Sequence, residues 1–118
     1  MGLFSSKEVK EFAIQLAADV ARRYSPAMEK GEDRKISAKG ISNILEEVYQ
    51  KAVDFKREKK LGFIRTAKLG NTFRWELKEL GYSESFVEVV TEGLIVYLTR
   101  KSTDAVASTP NKNFENKK

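Results

Sequence analysis

Apolar residues recur at intervals of three and four along most of the chain, and the periodic stretches are bounded by residues that start or stop helices. Such spacing gives a helix one apolar side, and a chain written this way must bury those sides against one another. The first stretch has the clearest boundary. Ser5 and Glu8 have the spacing of a capping box, Phe4 and Val9 that of a hydrophobic staple, and both devices place the N-cap at Ser5. Val9, Phe12, Ala13, Leu16, Ala17, Val20 and Tyr24 then share one face, until Pro26 disfavours a helical conformation at Ser25.

Residues 27–35 (AMEKGEDRK) are charged, contain Gly31 and have no apolar period, so they read as an exposed loop. A second helix is expected from Ser37, stapled by Ile36 and Ile41. Its core face is Ile41, Ile44, Leu45, Val48, Ala52 and Phe55. One turn further the same arc reaches Lys59, so the helix must stop, bend or overrun near 59–62, with Gly62 as the expected C′ residue. Residues 61–71 (LGFIRTAKLGN) admit a short helix through Phe63, Ile64, Ala67 and Leu69, or a hairpin turning at Gly70-Asn71. Helix is favoured, because the flanks are helical and one hairpin would lack partner strands.

A third helix is expected over 72–80, capped by Asn71 or Thr72, with Phe73, Leu77 and Leu80 on one face and Gly81 as C′. Trp75 lies off that stripe and is expected to be buried or half-buried against a neighbour. The fourth helix starts at Ser83, stapled by Tyr82 and Val87, or at Ser85, boxed with Glu88. It runs to about Lys101 with apolar residues on most sides, which suggests the centre of the core. The expected architecture is a compact all-α bundle of four to five helices, up-and-down or orthogonal, forming a single domain over 1–101. The polar residues 102–118 (STDAVASTPNKNFENKK) read as a disordered C-terminal tail.

Composition removes several chemistries. The chain has 118 residues, enough for one modest core, and contains neither Cys nor His. That excludes disulfides, a thiolate nucleophile and Cys-ligated metal, and removes the side chain best suited to proton transfer near neutral pH. No Gly-rich phosphate motif is present, so no cofactor is expected. The opening MGLFSS fits a loose N-myristoylation pattern, but the capping reading uses four positions in concert and explains the same residues. The longest apolar run, 86–98, is interrupted by Glu88, Thr91, Glu92 and Gly93, short of the ~20 apolar residues a membrane span needs. With no apolar leader at the N-terminus, a cytoplasmic location is expected.

Charge is concentrated. The stretch 51–68 (KAVDFKREKKLGFIRTAK) holds seven bases against Asp54 and Glu58, which accounts for the whole net charge of +5. Part of it suits a helix C-terminus, where cations are favoured. Lys56, Arg57, Lys59 and Lys60 at that end, with Arg65, Lys68, Arg74 and Trp75 beyond it, are the candidate anion- or partner-binding residues. A helix-turn-helix around Gly81 fails on charge, because Glu84, Glu88 and Glu92 would face the phosphates, and an αα-hairpin describes it better. An anion site at Gly70-Asn71-Thr72, fed by Arg65, Lys68 and Arg74, competes with simple capping. Catalysis is not expected: Glu84 and Glu88 share a face, but no nucleophile accompanies them. The expected role is non-catalytic binding of a protein partner or a second copy; nucleic-acid or phosphate binding through 56–74 is the alternative.

Overall fold

The structure, a computed structural model, describes residues 6–107, with side chains described for 6–99. Its elements are α1 (Ser6–Arg23), α2 (Pro26–Glu29), α3 (Ala38–Lys59), α4 (Phe63–Leu80) and α5 (Glu84–Ala107). The described residues are all-α, as the periodicity predicts. Helix α1 packs on α3 and α4, and α5 packs on the same two, so the successive helices α3 and α4 meet α1 and α5 rather than each other extensively.

The buried faces follow the predicted period. Val9, Ala13, Leu16, Ala17 and Val20 come from α1, Val48, Ala52 and Val53 from α3, and Leu69, Phe73 and Leu77 from α4. Val87, Val90, Leu94 and Leu98 complete the core from α5. Phe12 and Phe55 stack across the α1–α3 contact with ring centroids 3.8 Å apart. About two turns further along α1 Asp19 is buried, paired with Arg22 one turn away and with Lys51 of α3 at 2.7 Å. Burial raises the Asp19 carboxyl, but the Lys51 hydrogen bond and the charges of Lys51, Arg22 and Arg23 outweigh it and hold the pKa below its ordinary value.

Several boundaries fall where local chemistry puts them. Ser37 is an extended N-cap whose Oγ accepts from the Gly40 N–H at 3.0 Å. Gly81, at φ +105°, ends α4 with its own N–H on Lys78 and the Tyr82 N–H on Leu77. Ser83 caps α5, its Oγ accepting from the Phe86 N–H at 3.2 Å. The expected cap and staple at Phe4 and Ser5 lie outside the described residues.

Other expectations need correction. Ser25 is extended, as Pro26 requires, but its side chain also caps α2 by accepting from the Met28 N–H, with Pro26 in the first turn. Residues 26–29 are therefore helical, where an unbroken loop is expected from 27. Helix α3 ends on Lys60, a non-glycine residue in the left-handed region at φ +54°, and not on Gly62. Leu61, directly after it, is buried and closes the helix end through its N–H on the Lys56 carbonyl. Gly62 is the N-cap of α4.

The expected break at Gly70-Asn71 does not exist, because α4 runs unbroken from Phe63 to Leu80. A glycine inside a helix costs about 1 kcal/mol, whereas each buried Leu or Phe on the shared face contributes ~1.5–3 kcal/mol. Thr66, Leu69, Phe73 and Leu77 stay on one buried side only if the helix is continuous, so burial wins. Helix α5 reaches Ala107, past the expected end near Lys101; the rest of the expected tail, 108–118, lies outside the described residues.

Candidate interaction surface

The basic stretch divides on folding. Lys51 is committed to Asp19, and Arg57 to Asp54 at 2.7 Å. Arg74 donates through Nε and Nη2 to Oε2 of Glu88, at 2.9 and 2.6 Å, so one member of the α5 acidic stripe is met by a base from α4 of the same chain. Lys56 and Arg65 are partly exposed and each has an interaction within the chain. Lys59, Lys60 and Lys68 are exposed. The candidate cations thus do not act as one set. Lys56, Arg57, Lys59 and Lys60 sit at the end of α3, whereas Arg65, Lys68 and Arg74 lie along α4.

The continuous α4, whose interior offers no free helix N-terminus, excludes both the expected cap at Asn71 or Thr72 and the anion site that competed with it at Gly70-Asn71-Thr72. Gly70 serves packing instead: a Cβ there would lie 2.5 Å from the Ile95 Cδ1. The contacts Gly70 with Ile95 and Arg74 with Glu88 advance along α4 while retreating along α5, so the two helices form an antiparallel hairpin. That turn is clasped from below. Glu29 accepts from the Ser83 N–H and hydroxyl, Lys30 donates to the Gly81 carbonyl at 2.6 Å, and the Tyr82 hydroxyl donates to the Tyr24 carbonyl.

Trp75 is 55% exposed, contrary to the expectation of packing, and Leu80 is 41% exposed although it was expected on the buried face. The Lys78 ammonium lies 5.8 Å from the Trp75 ring centroid. The remaining large apolar side chains open to solvent are Phe63, Ile64, Val89 and Val96, so all six belong to α4 or α5 and none to α1, α2 or α3 among the described residues. This also corrects the expected position of α5. Its apolar residues surround it because it buries one side and leaves Val89 and Val96 on another.

The open residues follow a second period. On α4 the exposed side chains Ile64, Lys68, Asn71, Trp75 and Lys78 are spaced four, three, four and three, and on α5 Ser85, Val89, Glu92, Val96 and Thr99 repeat the same spacing. Each set forms a stripe turned away from the buried face of its own helix. The stripe on α4 carries bases and the stripe on α5 an acid, flanked by Glu84 and Glu88. Of these residues the sequence singles out Lys68 and Trp75 as candidate binding residues and Glu92 as part of an acidic stripe, but it does not group them into two outward faces. The second four-three spacing, superimposed on the core period, is the signal that points to them.

Among the described residues no group of three or more acidic side chains converges, and Glu88 of the Glu84/Glu88 pair is held by Arg74. An open cleft beside α2, lined by Tyr24, Met28, Lys30, Lys35 and Ile36, contains Lys30, which is already bound to the α4–α5 turn. No described helix is long and apolar enough to cross a membrane. Comparison with protein-family models, curated proteins and solved structures finds no match for this chain.

Proposed function

We propose that this chain is a non-catalytic interaction module that associates with a second copy of itself through the outward side of the α4–α5 hairpin. The observation that carries this reading is the clustering of all six exposed large apolar side chains on those two helices, among the described residues, with Trp75, Val89 and Val96 in stripes of heptad spacing. The charges favour a second copy as the partner. Placing α4 of one copy on α5 of the other sets Lys68 and Lys78 against Glu84 and Glu92, and two-fold symmetry makes the match twice.

Size sets the expected strength. Helix α4 is about 27 Å long, and two neighbouring helices present a face ~20 Å wide, so a pair buries roughly 1,000 Å² in total. That is the lower end for a specific interface, and a dissociation constant of about 1–100 μM follows. Trp75 is the expected anchor, since a few aromatic residues carry most of the energy of such contacts.

The alternative, nucleic-acid or phosphate binding through 56–74, draws on exposed Lys59, Lys60 and Lys68. It is weakened because Arg57 and Arg74 face acidic partners and because Trp75 lies ~16 Å along α4 from Ile64, far from the α3 end. The cytoplasmic setting expected from the sequence belongs to this proposal too. Light scattering on the full chain between about 5 and 500 μM tests it: the mass is expected to rise from one chain to two. In Val89→Lys/Val96→Lys the mass should stay at one chain throughout. A wild-type monomer at the highest concentration would overturn the reading.

A further inference from the structure

We infer that the corner between α3 and α4 docks on an anionic phospholipid surface, with Phe63 and Ile64 entering the boundary between headgroups and acyl chains and Lys59, Lys60 and Lys68 meeting the headgroup phosphates. Phe63 and Ile64 are the most exposed large apolar residues described, at 89% and 80%, and they are adjacent. They stand at a convex corner where one helix ends and the next begins, so a rigid partner would need a matching hollow, whereas a bilayer deforms around a projecting tip.

The corner is built to hold that pair outward. Lys60 turns the chain in the left-handed region, Leu61 is buried as an anchor, and the Thr66 hydroxyl and N–H both bond the Gly62 carbonyl at the start of α4. Cations surround the tip at short range. Lys60 is three residues before Phe63, which limits their separation to about 11 Å, and Lys68 lies one turn from Ile64 on the same face. The side chains of Lys59, Lys60 and Lys68 make no ion pair or hydrogen bond among the described residues. Of the two acids in the stretch, Asp54 is occupied by Arg57 and Gln50, while Glu58 is exposed beside Lys59 and offsets one of the cations.

Lipid fits this combination better than nucleic acid. Ile64 has no π face on which a base can stack, yet it is presented together with Phe63. Two apolar side chains alone, or a few lysines alone, hold a protein on a bilayer weakly; an apolar anchor joined to basic residues gives the two signals that stable attachment needs. Ile64 and Lys68 also lie in the α4 stripe of the proposed self-association face, so the two readings are separated by Val89→Lys/Val96→Lys, which should abolish self-association and leave vesicle binding unchanged.

The test is co-sedimentation of the full chain with vesicles of phosphatidylcholine containing about 30% phosphatidylglycerol, against phosphatidylcholine alone, at physiological salt. Binding is expected to the anionic vesicles only. Lys59→Ala/Lys60→Ala should lower the partition coefficient about 25-fold, taking roughly fivefold per lysine. Phe63→Ala/Ile64→Ala should lower it by more than about tenfold. Both pairs are exposed, and unchanged circular dichroism will show that the fold is kept. Phe63→Trp in a Trp75→Phe background should give an emission blue shift with anionic vesicles and none with inorganic phosphate or a single-stranded oligonucleotide. Undiminished binding of Phe63→Ala/Ile64→Ala, equal binding to neutral vesicles, or a blue shift with phosphate or oligonucleotide alone would each overturn the inference.

Discussion

Gly93 and Gly70 both sit in helix interiors against side chains of another helix, yet their neighbours differ in how far they can yield. A Cβ at Gly93 would lie 2.5 Å from the Tyr49 hydroxyl oxygen and 3.0 Å from its Cζ. Tyr49 cannot swing away, because it is buried between α3 and α5 and its hydroxyl donates to the Val90 carbonyl at 2.7 Å. Burial, with a smaller contribution from Tyr97, also pushes its pKa above the usual value. At Gly70 the obstacle is only the terminal methyl of Ile95, which can change rotamer. Gly93→Ala is therefore expected to destabilise by about 1–3 kcal/mol, the cost of overpacking, despite the better helix propensity of Ala. Gly70→Ala should fall within about 1 kcal/mol of neutral, and urea denaturation of the two variants compares them directly.

At the scale of elements, α4 shows what was legible and what was not. The ends at Ser37, Gly81 and Ser83 were readable because a cap is a local device, settled by one side chain or one glycine. Gly70-Asn71 resembles a turn by the same local logic. Its true role depends on Ile95, twenty-five residues away, and no local pattern records that approach. Pro26 misleads similarly, since a residue that ends one helix is equally suited to begin the next. Trp75, Val89 and Val96 were misplaced because apolar character was equated with burial. For the site, the split of the bases between the end of α3 and the segment after it was legible, but their individual ion pairs were not, because partners such as Asp19 and Glu88 come from other helices. The continuity of α4 has a sharp test at Asn71, which is exposed. Asn71→Pro should cost about 3 kcal/mol or more by removing a helical hydrogen bond, whereas Asn71→Ala should be neutral or slightly stabilising. If 70–71 were a turn, proline would be tolerated, and thermal melts of the two variants separate these outcomes.

For the whole molecule, buried charge and exposed apolar surface act on different properties. Asp19 joins α1 to α3 through Lys51, and its pKa is lowered in the fold. A lowered carboxyl stabilises the folded state above the ordinary value of 3.8 and loses that contribution as pH falls through the folded pKa. Asp19→Asn should therefore cost about 1–2 kcal/mol at neutral pH, discounted for the exposure of Lys51 and Arg22, and should flatten the acid limb of stability below about pH 4. Denaturant midpoints between pH 3 and 7 measure both effects.

The outward side of the hairpin governs association instead, and a charge-swap experiment tests that claim most directly. Lys68→Glu/Lys78→Glu places acids on both stripes, and Glu84→Lys/Glu92→Lys places bases on both, so each variant repels its own copies while the two attract one another. Sedimentation velocity at about 100 μM is predicted to find each variant monomeric alone and the equimolar mixture dimeric, like the wild type. A mixture that sediments as two monomers, while the wild type dimerises, would contradict the pairing of α4 with α5 across two copies; a wild-type monomer would contradict the interface itself.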